Sequence, residues 1–242
     1  MTVTAPRSLC AAAAMAMLVA CAGSPRAAHR DDPFPRVFRA LRPSVVLFTM
    51  RVPSDDPKKK GSWDEAYGTG IVVASGRQGS EILTVEHVIH DARNLRVTID
   101  NKRTVPAETI ARDEKTDVAL VSTPAADLTV SALGSASDAQ PGDAIGVAGY
   151  PVPDAFADEG LGTATSVYAG RISSVRRDAL ELDLPVIPGE SGGPVFEAET
   201  GEVIGLAESR FEEERAIGFA VPIDDAKRFI AHVKPGRLAA MR

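Results

Sequence analysis

The sequence predicts an all-β fold with one short helix at its C-terminal end, and three observations lead there. Short β-rich runs of six to nine residues recur between residues 44 and 223. Clusters of Gly, Pro, Asn or Asp separate most of them. No long amphipathic helical pattern intervenes, and many short strands without such a helix argue for a barrel or a sandwich. With 242 residues, 44% of them hydrophobic, the chain has material for one domain of two lobes or for two small domains.

The first segment stands outside that pattern. "MTVTAPR" ends in the basic Arg7, and residues 9–20 follow as an uncharged run rich in Ala, Met and Leu. A bilayer-spanning helix needs about 20 apolar residues, so this run has the length of a signal-peptide core instead. It closes on Leu18-Val19-Ala20-Cys21, which resembles the lipobox of bacterial lipoprotein signals. Residues 1–21 therefore read as a signal peptide with Cys21 as the lipidation site. The implied location is the cell envelope or periplasm, with a lipid anchor to membrane. The alternative is a plain secretory signal cut around Ala20-Cys21-Ala22. Cys10 and Cys21 are the only cysteines, so nothing beyond residue 21 can form a disulfide or a Cys-rich structural zinc site. Residues 22–35, polar and rich in Ala and Pro, read as a tether to a folded domain over 36–235.

Strand-like runs then follow at 44–50, 68–75, 81–89, 95–100, 117–123, 143–150, 179–186, 202–209 and 216–223. The segment 52–67, with mixed charge and two prolines, reads as an exposed loop, and "FEEER" (211–215) as a solvated hairpin tip. Pro222, acidic residues after it, and Ile230 with Val233 on one face predict a helix over 223–233. The formal charge of −6 gives no nucleic-acid footprint.

Chemistry concentrates in two places. "LTVEHVIH" carries His87 and His90, three positions apart, which raises a metal pair, a general base or two ordinary residues. "HVIH" has no third ligand at an established spacing, so no metal and no cofactor are expected. "GESGGP" (189–194) places Ser191 among glycines. A nucleophilic serine must sit on a tight loop with free backbone N–H groups beside it, here those of Gly189 and Ser191. Such a serine needs a base and an orienting acid; His87 precedes it, and Asp117 lies between in "RDEKTDVALV". Asp117 is preferred to Asp113 because it opens the apolar strand "VALV", whereas Asp113 fits a turn cap.

The set "GTGIVVASGRQGSEILTVEHVI", "ARDEKTDVALVS", "PGESGGPVF", "GEVIGLAES" and "AIGFAVPID" resembles, in order and approximate spacing, the trypsin-like serine proteases, and within them the HtrA/Deg protease domain. The likeness covers roughly residues 37–232. It implies two antiparallel six-stranded β-barrels, about 37–128 and 129–222, with the catalytic cleft between them. By position, His87 matches the general base, Asp117 the orienting carboxylate and Ser191 the nucleophile, and the amides of Gly189 and Ser191 match the oxyanion hole. It further implies polypeptide substrates, unfolded proteins among them, and raises a homotrimer. In such an assembly "PFPRVF" (33–38) packs either between subunits or against its own domain.

Two departures stand out. Glu86 and Glu190 occupy positions where the family usually has Asn before the catalytic His and Ser. Carboxylates there raise the pKa of His87 by favouring its charged form. The PDZ domain of the family's best-known members is not expected after residue 235. Where the trypsin branch carries Asp, six residues before the serine, this chain has Pro185, so a preference for Lys or Arg is not implied. "LPVIPGE" suggests a small or medium apolar pocket at Val186 and Ile187, while Arg210 leaves a Glu-directed pocket open. Two rival functions remain at this level: a non-catalytic protease-like peptide-binding module, and a serine hydrolase acting on esters.

Overall fold

Runs rich in β-branched residues, buried on both faces at their centres, pair into two antiparallel sheets. The computed structural model describes residues 32–208 and 217–234. The signal-peptide reading with Cys21, most of the tether, the "FEEER" tip and Arg210 lie outside the described residues.

The first lobe opens with helix α1 (Phe34–Leu41), followed by β1 (Val45–Pro53), β2 (Trp63–Gly76), β3 (Gly79–Thr84) and the single turn α2 (Glu86–Ile89). It continues through β4 (Arg93–Ile99), β5 (Arg103–Pro106), β6 (Glu108–Asp113) and β7 (Val118–Thr123). The second lobe holds β8 (Ala144–Gly149), α3 (Pro153–Asp158), β9 (Ser166–Val175), β10 (Leu180–Leu182), β11 (Pro194–Glu197), β12 (Val203–Glu208) and β13 (Gly218–Pro222). Helix α4 (Ile223–Val233) ends it and packs on β7, β12 and β13.

The second lobe is a closed six-stranded barrel in the order β10-β13-β12-β11-β8-β9. The first is a barrel-like sheet of seven strands, β5-β4-β1-β2-β3-β7-β6, which keeps the two-barrel architecture expected and carries one strand more than the six counted for it. The added strand comes from a tight turn in which Asp100 and Asn101 both take left-handed backbone, folding β5 back on β4. Val46, Phe48, Ile71, Ile82, Leu83 and Leu120 fill the first core; Ile145, Val147, Ile172, Leu180 and Val195 fill the second. Both sets are essentially solvent-free, and each side chain so enclosed contributes about 1.5–3 kcal/mol.

Two expectations change. The exposed loop expected over 52–67 shrinks to residues 54–62: β1 and β2 stay paired out to Pro53 and Trp63, where the Arg93 guanidinium lies 4.0 Å from the centre of the Trp63 ring. Helix is not confined to the end of the chain, since α1, α2 and α3 precede α4. Helix α1 begins inside the segment read as tether, and it packs "PFPRVF" within the chain. Phe34 stacks on Phe196 with ring centres 5.8 Å apart, and Val37 and Leu41 are buried. Among the described residues no helix is long and apolar enough to cross a membrane.

Candidate active site

Strand β3 delivers Thr84 to the edge of the first lobe, extended Val85 turns the chain, and α2 then presents His87 half-exposed. Asp117 arrives from the β6–β7 turn. There Asp113 accepts from Lys115 N (3.0 Å) and Thr116 Oγ1 (2.8 Å), the turn cap expected of it. The turn ends on Asp117 in left-handed backbone, φ 52°, a conformation that Asp tolerates better than most residues. Its two carboxylate oxygens divide their work: Oδ2 lies 2.8 Å from His87 Nδ1, and Oδ1 accepts from His87 N at 2.9 Å. One carboxylate thus fixes both the ring and the backbone of the histidine. With the proton on Nδ1 facing Asp117, Nε2 is left as an acceptor. Burial lowers the proton affinity of His87. The hydrogen bond and charge of Asp117, then the charges of Glu208 and Glu86, outweigh burial and hold its pKa above the ordinary value.

His90 is tied elsewhere. Its Nδ1 lies 2.9 Å from Glu86 Oε1, and the same oxygen accepts from Arg112 Nη1 at 2.7 Å. Glu86, 4% exposed, therefore anchors α2 to β6 through an ion pair whose Arg112 side remains exposed. The hydrogen bond from Glu86 raises the pKa of His90, with the Glu86 charge adding to it. Glu86, His90 and Glu114 cluster closely enough to hold a cation, but the Arg112 guanidinium already sits among them, 2.7 Å from Glu86 and 3.1 Å from His90. A metal there would compete with a resident cation, and His87 is not part of the cluster.

Ser191 comes from the second lobe. Within 187–193 the amides of Glu190, Gly192 and Gly193 donate to Ile187 O (2.9 Å), Ala207 O (2.8 Å) and Glu190 O (2.8 Å). The amides of Gly189 and Ser191 have no acceptor among the described residues. The glycines are required by space as well as by backbone angle. A Cβ on Gly192, at φ +85°, would stand 2.1 Å from Thr84 Oγ1, and one on Gly189, at φ +96°, 2.3 Å from Tyr150 O.

What ties the serine loop to the first lobe is a pair of threonines that sequence reasoning did not single out. Thr69, fully buried on β2, donates from Oγ1 to Gly189 O (2.7 Å), accepts there from Tyr150 N (3.1 Å), and donates its own amide to Ser191 O (2.8 Å). Thr84 Oγ1 donates to Thr69 O at 2.8 Å. The serine loop is thereby fastened to the strand pair that leads into His87. Glu208, buried at the end of β12, is the other residue missed, and its charge reaches His87. The one available signal was the acidic residue that ends "GLAE", where a strand interior reads as apolar. Glu190, named beside Glu86 for its effect on His87, is not among the groups that act on it most strongly. Val186 packs into the second core, its Cγ2 lying 3.0 Å from where a Cβ on Gly218 would stand.

Comparison with known proteins gives a consistent result. Residues 68–206 match the family model described as a trypsin-like peptidase domain. A protein of Hahella chejuensis named "Probable periplasmic serine endoprotease DegP-like" is 31% identical over 182 residues, which are 71% of this chain and 36% of that protein. The chain thus spans just over a third of that relative's length. Among solved structures, the HtrA-type protease AlgW with a tripeptide superposes with a TM-score of 0.68 at 22% identity, over 84% of this chain and 64% of that one. The serine endoprotease from Yersinia pestis gives 0.65 at 27% identity, over 83% and 66%.

Proposed function

Because the chain belongs to the trypsin-like peptidase domain family, we propose that it is a serine endopeptidase working through an acyl-enzyme on Ser191. His87 Nε2 takes the Ser191 proton as Oγ attacks the peptide carbonyl, then returns it to the leaving amine. Asp117 holds the imidazole in the tautomer this requires and stabilises the imidazolium that forms. The amides of Gly189 and Ser191 receive the developing oxyanion, where one such donor contributes about 3–4 kcal/mol in the transition state. Water then attacks the acyl ester with His87 again as base. No metal or cofactor takes part in these steps.

The observation that carries this reading is the two-point grip of Asp117 on His87, Nδ1 and backbone amide together, because it orients the ring and, in the neutral imidazole, favours the tautomer in which Nε2 is the acceptor. A peptide-binding module would not need an imidazole so held. Fluorophosphonate labelling with Ser191→Ala as control tests it. Labelling and casein cleavage that both vanish in Ser191→Ala are expected. A wild-type chain that binds peptides yet neither labels nor cleaves would instead be a binding module. Cleavage of esters without peptides would make it an esterase.

Polypeptide substrates are supported by the likeness to a protein named a DegP-like periplasmic serine endoprotease, and unfolded envelope proteins among them are part of this proposal. Export with lipidation at Cys21 rests on the leader sequence, and loss of lipid label in Cys21→Ser tests it. A homotrimer is retained as a reading of the HtrA likeness. Sedimentation of the chain from residue 32 onward separates trimer from monomer.

A further inference from the structure

Between the two free amides of the serine loop sits Glu190, the most enclosed carboxyl among the described residues, at 0% exposure. Its Oε2 accepts from Ile187 N at 2.8 Å, while its own amide donates to Ile187 O at 2.9 Å, so backbone and side chain close a ring with one residue. Oε1 is buried and has no hydrogen-bond partner. Glu86, by contrast, is buried with a guanidinium and an imidazole on one oxygen. The chamber around Glu190 is tight. A Cβ on Gly149 of β8 would stand 3.0 Å from Glu190 Cα and 3.1 Å from both Glu190 Cβ and Thr69 Oγ1.

The far side of the loop is held under strain. Val152, a β-branched residue, takes left-handed backbone at φ 35°, and its amide donates to Pro188 O at 2.8 Å. No cation among the described residues offsets the burial of Glu190. The titratable group that feels it is Tyr168 of β9, whose phenol is raised by its own burial and then by the Glu190 charge. The remaining neighbours, Thr69 on β2 and Gly149 on β8, carry no charge.

We propose that Glu190 is a positioning residue that acts in its protonated form: the neutral carboxyl, bonded to Ile187 N, holds the 187–191 turn with the Gly189 and Ser191 amides facing the cleft, and loss of the proton releases that turn. An anion enclosed here would keep one backbone donor and no solvent, which is costly. The nearest relief is rotation of the turn's peptides: the one after Glu190 carries the Ser191 amide, and the one before it joins Gly189, whose own amide lies one peptide further on. Burial agrees with this, pushing the carboxyl from 4.5 up to about 7 against the smaller opposing pull of the Ile187 amide. The catalytic consequence rests on the endopeptidase reading; the titration and the loop movement do not.

The test has two arms. In the first, fluorophosphonate labelling rates are measured from pH 5 to 9 for the wild type and for Glu190→Gln, whose amide is neutral and still accepts from Ile187 N. Dividing one profile by the other removes the titration of His87. The variant-to-wild-type quotient is expected to be level below pH 6 and to rise about tenfold by pH 8, as a group titrating at about 7 dictates. A quotient level across the whole range overturns the proposal. In the second arm, the wild type is followed by NMR with ¹³C-carboxyl glutamate and ¹⁵N-glycine and serine. A carboxyl titrating near neutrality in step with the Gly189 and Ser191 amides supports the proposal; titration below pH 5, or amides that stay still, overturns it. Labelling absent from both proteins, with the NMR movement intact, overturns the endopeptidase reading and leaves the loop proposal standing.

Discussion

Thr69 shows how much a single hydroxyl holds in place at this site. Its Oγ1 satisfies Gly189 O and Tyr150 N at once, and both partners lie where the two lobes meet. Thr69→Val keeps the shape and removes both bonds. At about 1–3 kcal/mol for each buried group left unpaired, urea unfolding should register a loss of about 2–6 kcal/mol. Fluorophosphonate labelling should fall more than tenfold, because Gly189 is no longer fixed; Thr69→Ser should recover most of both. Charges near His87 make a second prediction. The base works only when neutral, so every anion that raises its pKa delays activity as pH rises. Glu208 acts on His87 more strongly than Glu86 does. The acid limb of the rate profile should therefore move to lower pH in Glu86→Gln and further in Glu208→Gln. An unmoved limb in both variants would mean that Asp117 alone sets the base.

At the scale of elements, the sequence was most informative where burial imposes a pattern. The runs behind β1, β2, β7, β8, β12 and β13 are almost wholly buried at their centres, and their apolar residues marked them. By contrast, β6 and β9 are largely exposed and carry polar or charged residues, so no alternation betrayed them. The run 81–89 read as one strand because "EILTVEHVI" is rich in β-branched and apolar residues, yet it breaks at Val85 into α2. Glu86 accounts for that break through its bonds to Arg112 and His90, partners invisible to local pattern. The flanking motifs named His87, Asp117 and Ser191 as candidates, and the structure brings the first two together, whereas Thr69 and Glu208 acquire meaning only when the lobes are assembled. Helix α1 belongs to the same class: its contact is Phe34 on Phe196, far apart in the chain. Phe34→Ala should cost about 1–3 kcal/mol, from lost burial and ring contact, and should detach α1. Proteolysis should then cut within 33–41 faster than in the wild type. Equal rates would show that Val37 and Leu41 hold the helix unaided.

For the whole molecule, the buried carboxyl of Glu190 makes stability depend on pH in an uncommon direction. Most native carboxylates are held below their ordinary values, as Asp64 is by Ser54 and Asp113 by Thr116, and they stabilise the fold until acid protonates them. Glu190 runs the other way. Below pH 4.5 the folded and unfolded chains both carry its proton, so it adds no slope. Between 4.5 and about 7 only the folded chain keeps the proton, and each step upward in pH favours unfolding. Above about 7 both forms have lost it and the slope ends. The full difference for a carboxyl moved from 4.5 to about 7 is about 3 kcal/mol. His87 and His90, both raised, also lose their contribution as pH climbs past 6.5, so the wild-type curve alone mixes three groups. The Glu190→Gln variant separates them, since it removes one titration and keeps the others. Its stability relative to wild type, from urea midpoints at pH 4.5, 6 and 8, should rise by about 3 kcal/mol across that span. A difference that stays constant from pH 4.5 to 8 would mean that Glu190 ionises in the folded chain as it does in the unfolded one, with some cation reaching it inside the loop.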